Sequence, residues 1–374
     1  MQTIRHPLRS PSLGTQREIV SFHYGQLGGS KIYIQSSLHA DELPGMLVAY
    51  HLRQRLAALE NAGAIRGEIV VVPVANPIGL AQTVLHTPLG RFEASSGENF
   101  NRYYPALFQP ALPLLEGKLG ANADLNKGIV RQVLRQVVAE APATTEIANL
   151  RKLLLSLACD ADVVLDLHCD SEAVVHLYTG TPLWPQAEPL ARYMGAEATL
   201  LAVESGDNPF DEACSQHWWL LAEHFAERHP IPLGCLSVTV ELRSMTDVNH
   251  ALAAQDAERL IAFLQYRDVI AGEPPPLPPL KQPATPLAGS ETLVTPVSGL
   301  VVFLRQPGEW INKGEPVVEI IDPLADSPQQ TTVLKSTVEG LLYARENRRF
   351  ATAGMALAKI AGSQPFRHGK LLGV

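Results

Sequence analysis

His39 and Glu42 stand three positions apart in SSLHADELPGMLVAY, Ser36 to Tyr50, a polar break between an apolar run and a helix-like one. A second imidazole, His168, closes the run ADVVLDLH, and a second carboxylate, Glu241, stands next to the end of CLSVTVEL. Two histidines and a carboxylate with an open fourth position make a catalytic zinc site, because imidazole nitrogen and carboxylate oxygen suit zinc's borderline softness. Zinc lowers the pKa of a bound water to roughly 7, so hydroxide is available at neutral pH. A carboxylate held outside the metal shell can then take the water's proton and later deliver it to a leaving amine. His39, Glu42 and His168 are the expected ligands of one zinc per chain, and Glu241 is the expected base.

Each residue alone has a plainer reading. HxxE pairs arise by chance on helices and loops, His168 could be a satisfied core histidine, and Glu241 could pair with Arg243. Shared placement weighs against that reading. The runs KIYIQSSL, ADVVLDLH and CLSVTVEL all read as buried strands, and each delivers its polar residues at its carboxyl end, the edge where open α/β sheets bind ligands. Asp166, two residues before His168, points to the same face of a regular strand and is a candidate acceptor for a ligand histidine, with a solvated or paired strand-end Asp as the alternative.

The elements that position these residues follow from patterning. Those runs, with GEIVVVPVA, alternate with the helix-like segments LPGMLVAYHLRQRLAALENAG, NKGIVRQVLRQVVAEA and QDAERLIAFLQYRDVI, which predicts an α/β domain with a largely buried sheet over residues 1–271. Residues 272–289, GEPPPLPPLKQPATPLAG, are too proline-dense for a helix or a central strand and read as a stiff linker. Residues 290–374 form a third region of short β-like runs punctuated by glycine.

Composition narrows the function classes. Of 374 residues 46% are hydrophobic, enough for a large core, and the net charge of −8 comes without a basic face, which argues against a nucleic-acid partner. No apolar run reaches the roughly 20 residues that cross a bilayer, and MQTIRHPLRSPSLGTQREIV lacks the apolar core of a secretory signal, so a cytoplasmic protein without a membrane partner is expected. Cys159, Cys169, Cys214 and Cys235 form no CxxC pair and read as small buried hydrophobes.

In order along the chain, HADE at 39–42, NFNR at 99–102, DLH at 166–168 and VTVEL at 238–242 resemble the succinylglutamate desuccinylase and aspartoacylase family, whose α/β fold is similar to that of zinc carboxypeptidases. The resemblance implies a mixed sheet flanked by helices, zinc on His39, Glu42 and His168, and Glu241 as general base. It further implies that Asn101 and Arg102 hold a substrate carboxylate and that Arg91 polarises the scissile carbonyl. An arginine fork binds a carboxylate through two parallel bonds, which agrees with the role given to Arg102. His176, Glu204, Asp207, Asp211, His217 and His250 also fall at strand ends or in loops, without an assigned role.

Residues 295–320 and 336–360 repeat one another, each with a glycine after the opening strand and another before the closing one, and resemble the two halves of a lipoyl or biotinyl barrel. The connection IDPLADSPQQTTV carries no lysine, and Lys313 and Lys335 lie elsewhere, so no covalent lipoate or biotin is expected. The barrel is expected to make homo-oligomer contacts or to shield the site mouth, with a passive appendage as the alternative. The function expected is zinc-dependent hydrolysis of the amide bond of a small N-acyl amino acid. A peptide-cleaving metallocarboxypeptidase would use the same ligands, and a non-catalytic scaffold would need none; iron, cobalt or manganese would also suit the donor set.

Overall fold

The computed structural model describes residues 1–327 and 329–372, so Pro328, in the connection between the barrel halves, and the last two positions of the third region lie outside it. A nine-stranded mixed sheet runs through the first part of the chain. Its strands are β1 (Gln2–Pro7), β2 (Glu18–Gly25), β3 (Lys31–Ser36), β4 (Glu68–Val72), β5 (Val163–Asp170), β6 (Val175–Gly180), β7 (Ala198–Ala202), β8 (Leu236–Ser244) and β9 (Thr285–Pro286). They lie in the order β1-β2-β4-β3-β5-β8-β6-β7-β9. At its centre β4, β3, β5 and β8 are mutually parallel, whereas β6 returns antiparallel to β8.

Helices cover both faces, which is why the central strands read as continuous apolar runs rather than alternating ones. Alternate residues enter different cores. Tyr33, Val70 and Val164 pack with α2 (Phe108–Leu115), α3 (Ala123–Glu140), α4 (Glu146–Ala158) and α6 (Phe210–Phe225). Ile32, Ile34, Val71 and Leu165 pack on the other side with α1 (Pro44–Asn61), α5 (Trp184–Met194) and α7 (His250–Tyr266). Ile69 through Val72 are wholly buried, and each such side chain stabilises the fold by about 2 kcal/mol. Proline at the first position of α1, where no intrahelical N–H is needed, starts that helix directly behind the HADE segment.

The proline-rich segment lies along α5, where the Tyr193 hydroxyl donates to the Pro275 carbonyl at 2.8 Å and Leu277 and Leu280 pack on the core. Its end, β9, adds a parallel edge strand beside β7. Beyond it come β10 (Ser290–Val294), β11 (Gly299–Phe303), β12 (Trp310–Ile311), β13 (Pro316–Ile321), β14 (Thr331–Lys335), β15 (Gly340–Arg345), β16 (Phe350–Ala351) and β17 (Ala356–Gly362), in two antiparallel sheets. The short strand of each half pairs with the long strand of the other, β12 with β15 and β16 with β11. Equivalent turns repeat the same bonds: Gly314 N to Ser336 O and Gly354 N to Thr295 O. This unit docks against the first through Glu172–Ala173, which pairs with β15, and through a shared core of Tyr178, Leu200, Leu287, Leu341, Tyr343 and Leu371. Among the described residues no helix is long and apolar enough to cross a membrane. All four cysteines are free and buried.

Candidate active site

Because β3, β5 and β8 are adjacent and parallel, their carboxyl ends emerge on one edge. Ser36 pairs with Leu167, and Glu241 lies directly across from His168. After β3 the chain turns sharply at Ser37, whose φ is 62°, and enters the HADE loop. The Asn76 amide donates to the Leu38 carbonyl at 2.9 Å and Ala40 N donates to Gly90 O at 3.0 Å, fastening that loop from two sides. Position 90 must be glycine, since a Cβ there would sit 2.1 Å from Asp41 N. That close crossing carries Arg91 onto the site.

The three expected ligands form one buried cluster whose donor atoms all lie within 4.8 Å of one another. His39 Nδ1 is 2.9 Å from Glu42 Oε1, and His168 Nδ1 is 2.8 Å from Glu42 Oε2. The opposite nitrogens face acceptors: His39 Nε2 is 2.9 Å from Asn99 Oδ1, and His168 Nε2 is 2.9 Å from Asp166 Oδ2. The Asn99 oxygen can hold the His39 ring through Nε2, and Asp166 lies at ion-pair distance from His168 Nε2 without a well-aligned hydrogen bond; a proton on Nε2 would leave each Nδ1 lone pair for a cation. Behind Asp166, Gln35 Nε2 donates to its Oδ1 at 3.0 Å and the Tyr33 hydroxyl donates to Gln35 at 2.9 Å, so the support is itself supported. The cluster fits a divalent metal in chemistry and burial.

Electrostatics agree with that fit. Burial, with the charge of Arg91 beside it, lowers His39 to about 4, so the ring is neutral as a ligand must be. Burial alone would raise Glu42, yet the two imidazoles hold it well below the ordinary carboxylate value. Burial opposes the imidazolium of His168, but Asp166 and Glu42 raise its pKa well above normal, the mark of a place that attracts positive charge. Glu241 is different. Burial pushes its carboxyl up to about 8, with the Glu42 charge adding to the shift, and its buried Oε2 has no hydrogen-bond partner among the described residues. A half-buried carboxylate that faces a pocket and has one oxygen unpaired among the described residues is in the setting where acid–base groups are found.

The remaining expected residues converge on the same pocket of about 470 Å³, which Arg91, Asn101, Arg102, His168 and Glu241 all line. Arg91 Nη2 donates to Glu42 Oε1 at 3.1 Å. Asn101 is anchored by its side-chain oxygen, which accepts from Phe210 N at the start of α6 at 2.9 Å. Arg102 Nη1 donates to the Asn101 carbonyl at 2.7 Å; burial and the charge of Arg91 lower its pKa, against the nearby Asp211. Tyr343 and Lys359 of the barrel and Leu371 beyond it complete the wall. Lys359 pairs with Asp170, the last residue of β5.

Arg243 takes no part. At φ 67° its backbone turns the side chain onto Asp256, which is fully buried and also meets Arg259 Nη1 at 3.3 Å. Replacing Asp256 by Ala would strand two arginines around a buried gap and is expected to destabilise the chain by about 3 kcal/mol in urea unfolding, with the pocket residues untouched. Of the other strand-end and loop residues noted in the sequence, Asp211 lines the pocket, whereas His176 packs between Tyr178 and Tyr343. Asn99, Gln35 and Lys359 were not singled out in the sequence. Asn99 stands inside NFNR and Gln35 is a polar residue in a buried run, which were their only signals. Lys359 had none, since 189 positions separate it from Asp170.

Residues 28–267 match the family model of the succinylglutamate desuccinylase/aspartoacylase catalytic domain. Among solved structures, a succinylglutamate desuccinylase/aspartoacylase family protein from Shewanella amazonensis is 26% identical with a TM-score of 0.86, over 96% of this chain and 98% of that one. A protein of the same description from Shewanella frigidimarina is 24% identical with a TM-score of 0.85, over 96% and 97% of the two chains. The fold is also similar to that of the ectoine utilization protein EutE (DoeB) from Ruegeria pomeroyi, at 15% identity and a TM-score of 0.65, over 96% and 94%. No curated protein matches the sequence at a significant level. With the family model spanning well over half of its length, the chain belongs to the succinylglutamate desuccinylase/aspartoacylase family.

Proposed function

We propose that this chain is a zinc-dependent amidohydrolase that cleaves a small N-acyl amino acid, with His39, Glu42 and His168 holding the metal and Glu241 as general base. The observation that carries the reading is the buried triangle of two imidazole Nδ1 atoms and one carboxylate, with an acceptor on the far nitrogen of each ring and an unsatisfied Glu241 on the neighbouring strand. When bound, zinc supplies Lewis acidity and a water acidic enough to act at neutral pH. Glu241 takes the proton of the attacking water and returns it to the departing nitrogen, so that a carboxylic acid and an amine leave. Arg91, already beside Glu42, donates to the carbonyl oxygen as negative charge develops there, a kind of stabilisation worth about 3 kcal/mol. Asn101 and Arg102 hold the substrate's carboxylate.

Pocket size favours this substrate class over a peptide chain. A volume of about 470 Å³, walled on one side by the barrel, suits one acyl amino acid better than an extended polypeptide. The test is amine release from a panel of N-acyl amino acids, with and without a chelator. Chelator-sensitive turnover of at least one member is the expected result; turnover that persists fully after metal removal would refute the metal's role.

The acceptor behind His168 has its own expected effect. Asp166→Asn keeps the size of the side chain but weakens its hold on Nε2–H, and metal affinity should fall by about 10- to 100-fold in competition titrations with a chromophoric chelator. Unchanged affinity would mean that Asp166 serves only the fold.

A further inference from the structure

We propose that the segment following β17, Gln364 to Leu372, is a working part of the substrate site that braces the loop carrying Asn101 and Arg102. This goes beyond the hydrolase reading while resting on it for the role of those two residues.

The segment is pinned at one end to the barrel. Phe366 N and Arg367 N both donate to Ala288 O at 3.0 Å, Arg367 Nη1 donates to Ser290 O at 3.1 Å, and the same guanidinium bonds Leu371 O. From there it crosses to the first unit. Leu371 N donates to Ser205 O at 2.9 Å, its side chain is buried in the core shared by sheet and barrel, and Lys370 Nζ meets Asp207 Oδ1 at 2.8 Å. Between those two contacts stands Gly206, with φ 103°. A Cβ there would lie 3.1 Å from Lys370 Cγ and 3.2 Å from its Cα, so the two segments pass closely, and the left-handed φ itself favours glycine.

The loop thus clamped, residues 204–209, is the one that holds the NFNR segment from behind. Asp207 O accepts from Tyr103 N at 2.7 Å, and Asn208 O accepts from Tyr104 N at 3.2 Å. Asn208 Nδ2 returns a bond to Tyr104 O at 2.8 Å, and Phe210 N holds the Asn101 side chain. On its far side Ser205 N donates to Glu212 in the first turn of α6 at 2.6 Å. Tyr103, Asp207 and Asn208 all have left-handed backbones, with φ of 60°, 58° and 46°. Such residues cost free energy and persist only where their surroundings hold them, so a loop of this kind relaxes when a brace is removed.

Not all of the contacts count equally. The Lys370–Asp207 pair is exposed on its lysine side and contributes little. Leu371, with a buried side chain and a backbone bond, carries the brace. The metal cluster, by contrast, is carried by the loop after β3 and by β5. Loss of the brace should therefore raise KM by about 10-fold and leave kcat within about 3-fold, the signature of weakened substrate binding rather than lost chemistry.

Two variants test this: a chain stopped after His368, and the full chain with Leu371→Asp. Amide hydrogen exchange is followed over residues 99–104 and over β15 and β17, alongside metal stoichiometry and steady-state kinetics on whichever N-acyl amino acid the parent turns over. Expected are about 10-fold faster exchange at Tyr103 and Tyr104, unchanged protection in β15 and β17, unchanged metal content and the KM-selective loss. If Tyr103 and Tyr104 keep their protection in both variants, or if protection falls equally in the barrel strands of both, the brace is refuted. A parent that hydrolyses none of the panel would sink the functional reading, yet the exchange result would still decide the brace.

Discussion

Replacing Glu241 by Gln is expected to lower kcat by about 10³-fold while metal content and KM stay near those of the parent. Gln has the size of Glu and keeps a carbonyl oxygen, but it cannot accept the water's proton or carry it to the leaving nitrogen. Oε2 of Glu241 has no hydrogen-bond partner among the described residues, so the substitution breaks no bond to that atom there. Nor is Glu241 among the three residues whose donor atoms form the cluster, which is why metal should remain. A stability measurement on the metal-free protein gives a second check. With its carboxyl pushed up to about 8, Glu241 keeps its proton in the folded chain at a pH where the unfolded chain has released it. The folded state then binds more protons, and the contribution of Glu241 to stability falls as pH rises from its ordinary value toward about 8. The Gln variant should escape that decline. Metal-free Glu241→Gln should thus be at least as stable as the metal-free parent at pH 7, and a steeper loss for the variant would refute this picture of the residue.

His168→Ala should be more damaging, with loss of stoichiometric metal and a fall of at least about 10³-fold in kcat/KM, since metal supplies several kcal/mol of transition-state stabilisation. The ring is held from both sides, by Glu42 Oε2 at 2.8 Å and by Asp166 Oδ2 at 2.9 Å. Its removal leaves two buried carboxylates facing a gap, each short of one partner. The same substitution should therefore also cost about 2 kcal/mol of stability even before metal is added. Added zinc should restore a chelated parent but not the variant. Recovery of the variant at modest zinc concentration would show that His168 is dispensable.

The candidate site was legible wherever chemistry and burial are written in the same short stretch. KIYIQSSL, ADVVLDLH and CLSVTVEL announce buried strands because a sheet covered on both faces tolerates few polar residues, so His168 and Glu241 stand out at their ends. The two-residue period of the strand placed Asp166 on the face of His168, where the two side chains meet at 2.9 Å. The glycine spacing of the last region likewise foreshadowed two similar halves, and their equivalent turns repeat the same backbone bonds.

Elsewhere the signals were weaker for physical reasons. The edge strand β1 carries Arg5, His6 and Pro7, residues that an exposed strand accepts and a central one does not, so its sequence does not announce a strand. Thr285–Pro286 joins the sheet from within a proline-rich stretch, which is possible only at an edge. Arg243 follows Glu241 by two positions, and strand alternation would send both side chains to one face. Its left-handed backbone instead turns it onto Asp256. Lys359 reaches the pocket only because the barrel docks against Glu172–Ala173, a long-range event that no local pattern records.

The most direct test of the central claim is the metal content of the gently purified protein by plasma mass spectrometry, with the two substituted chains measured beside it. About one zinc per chain in the parent and in Glu241→Gln, with none retained by His168→Ala, is the expected result for a three-ligand catalytic site. A parent that carries no metal and takes up none from added zinc would contradict the hydrolase mechanism.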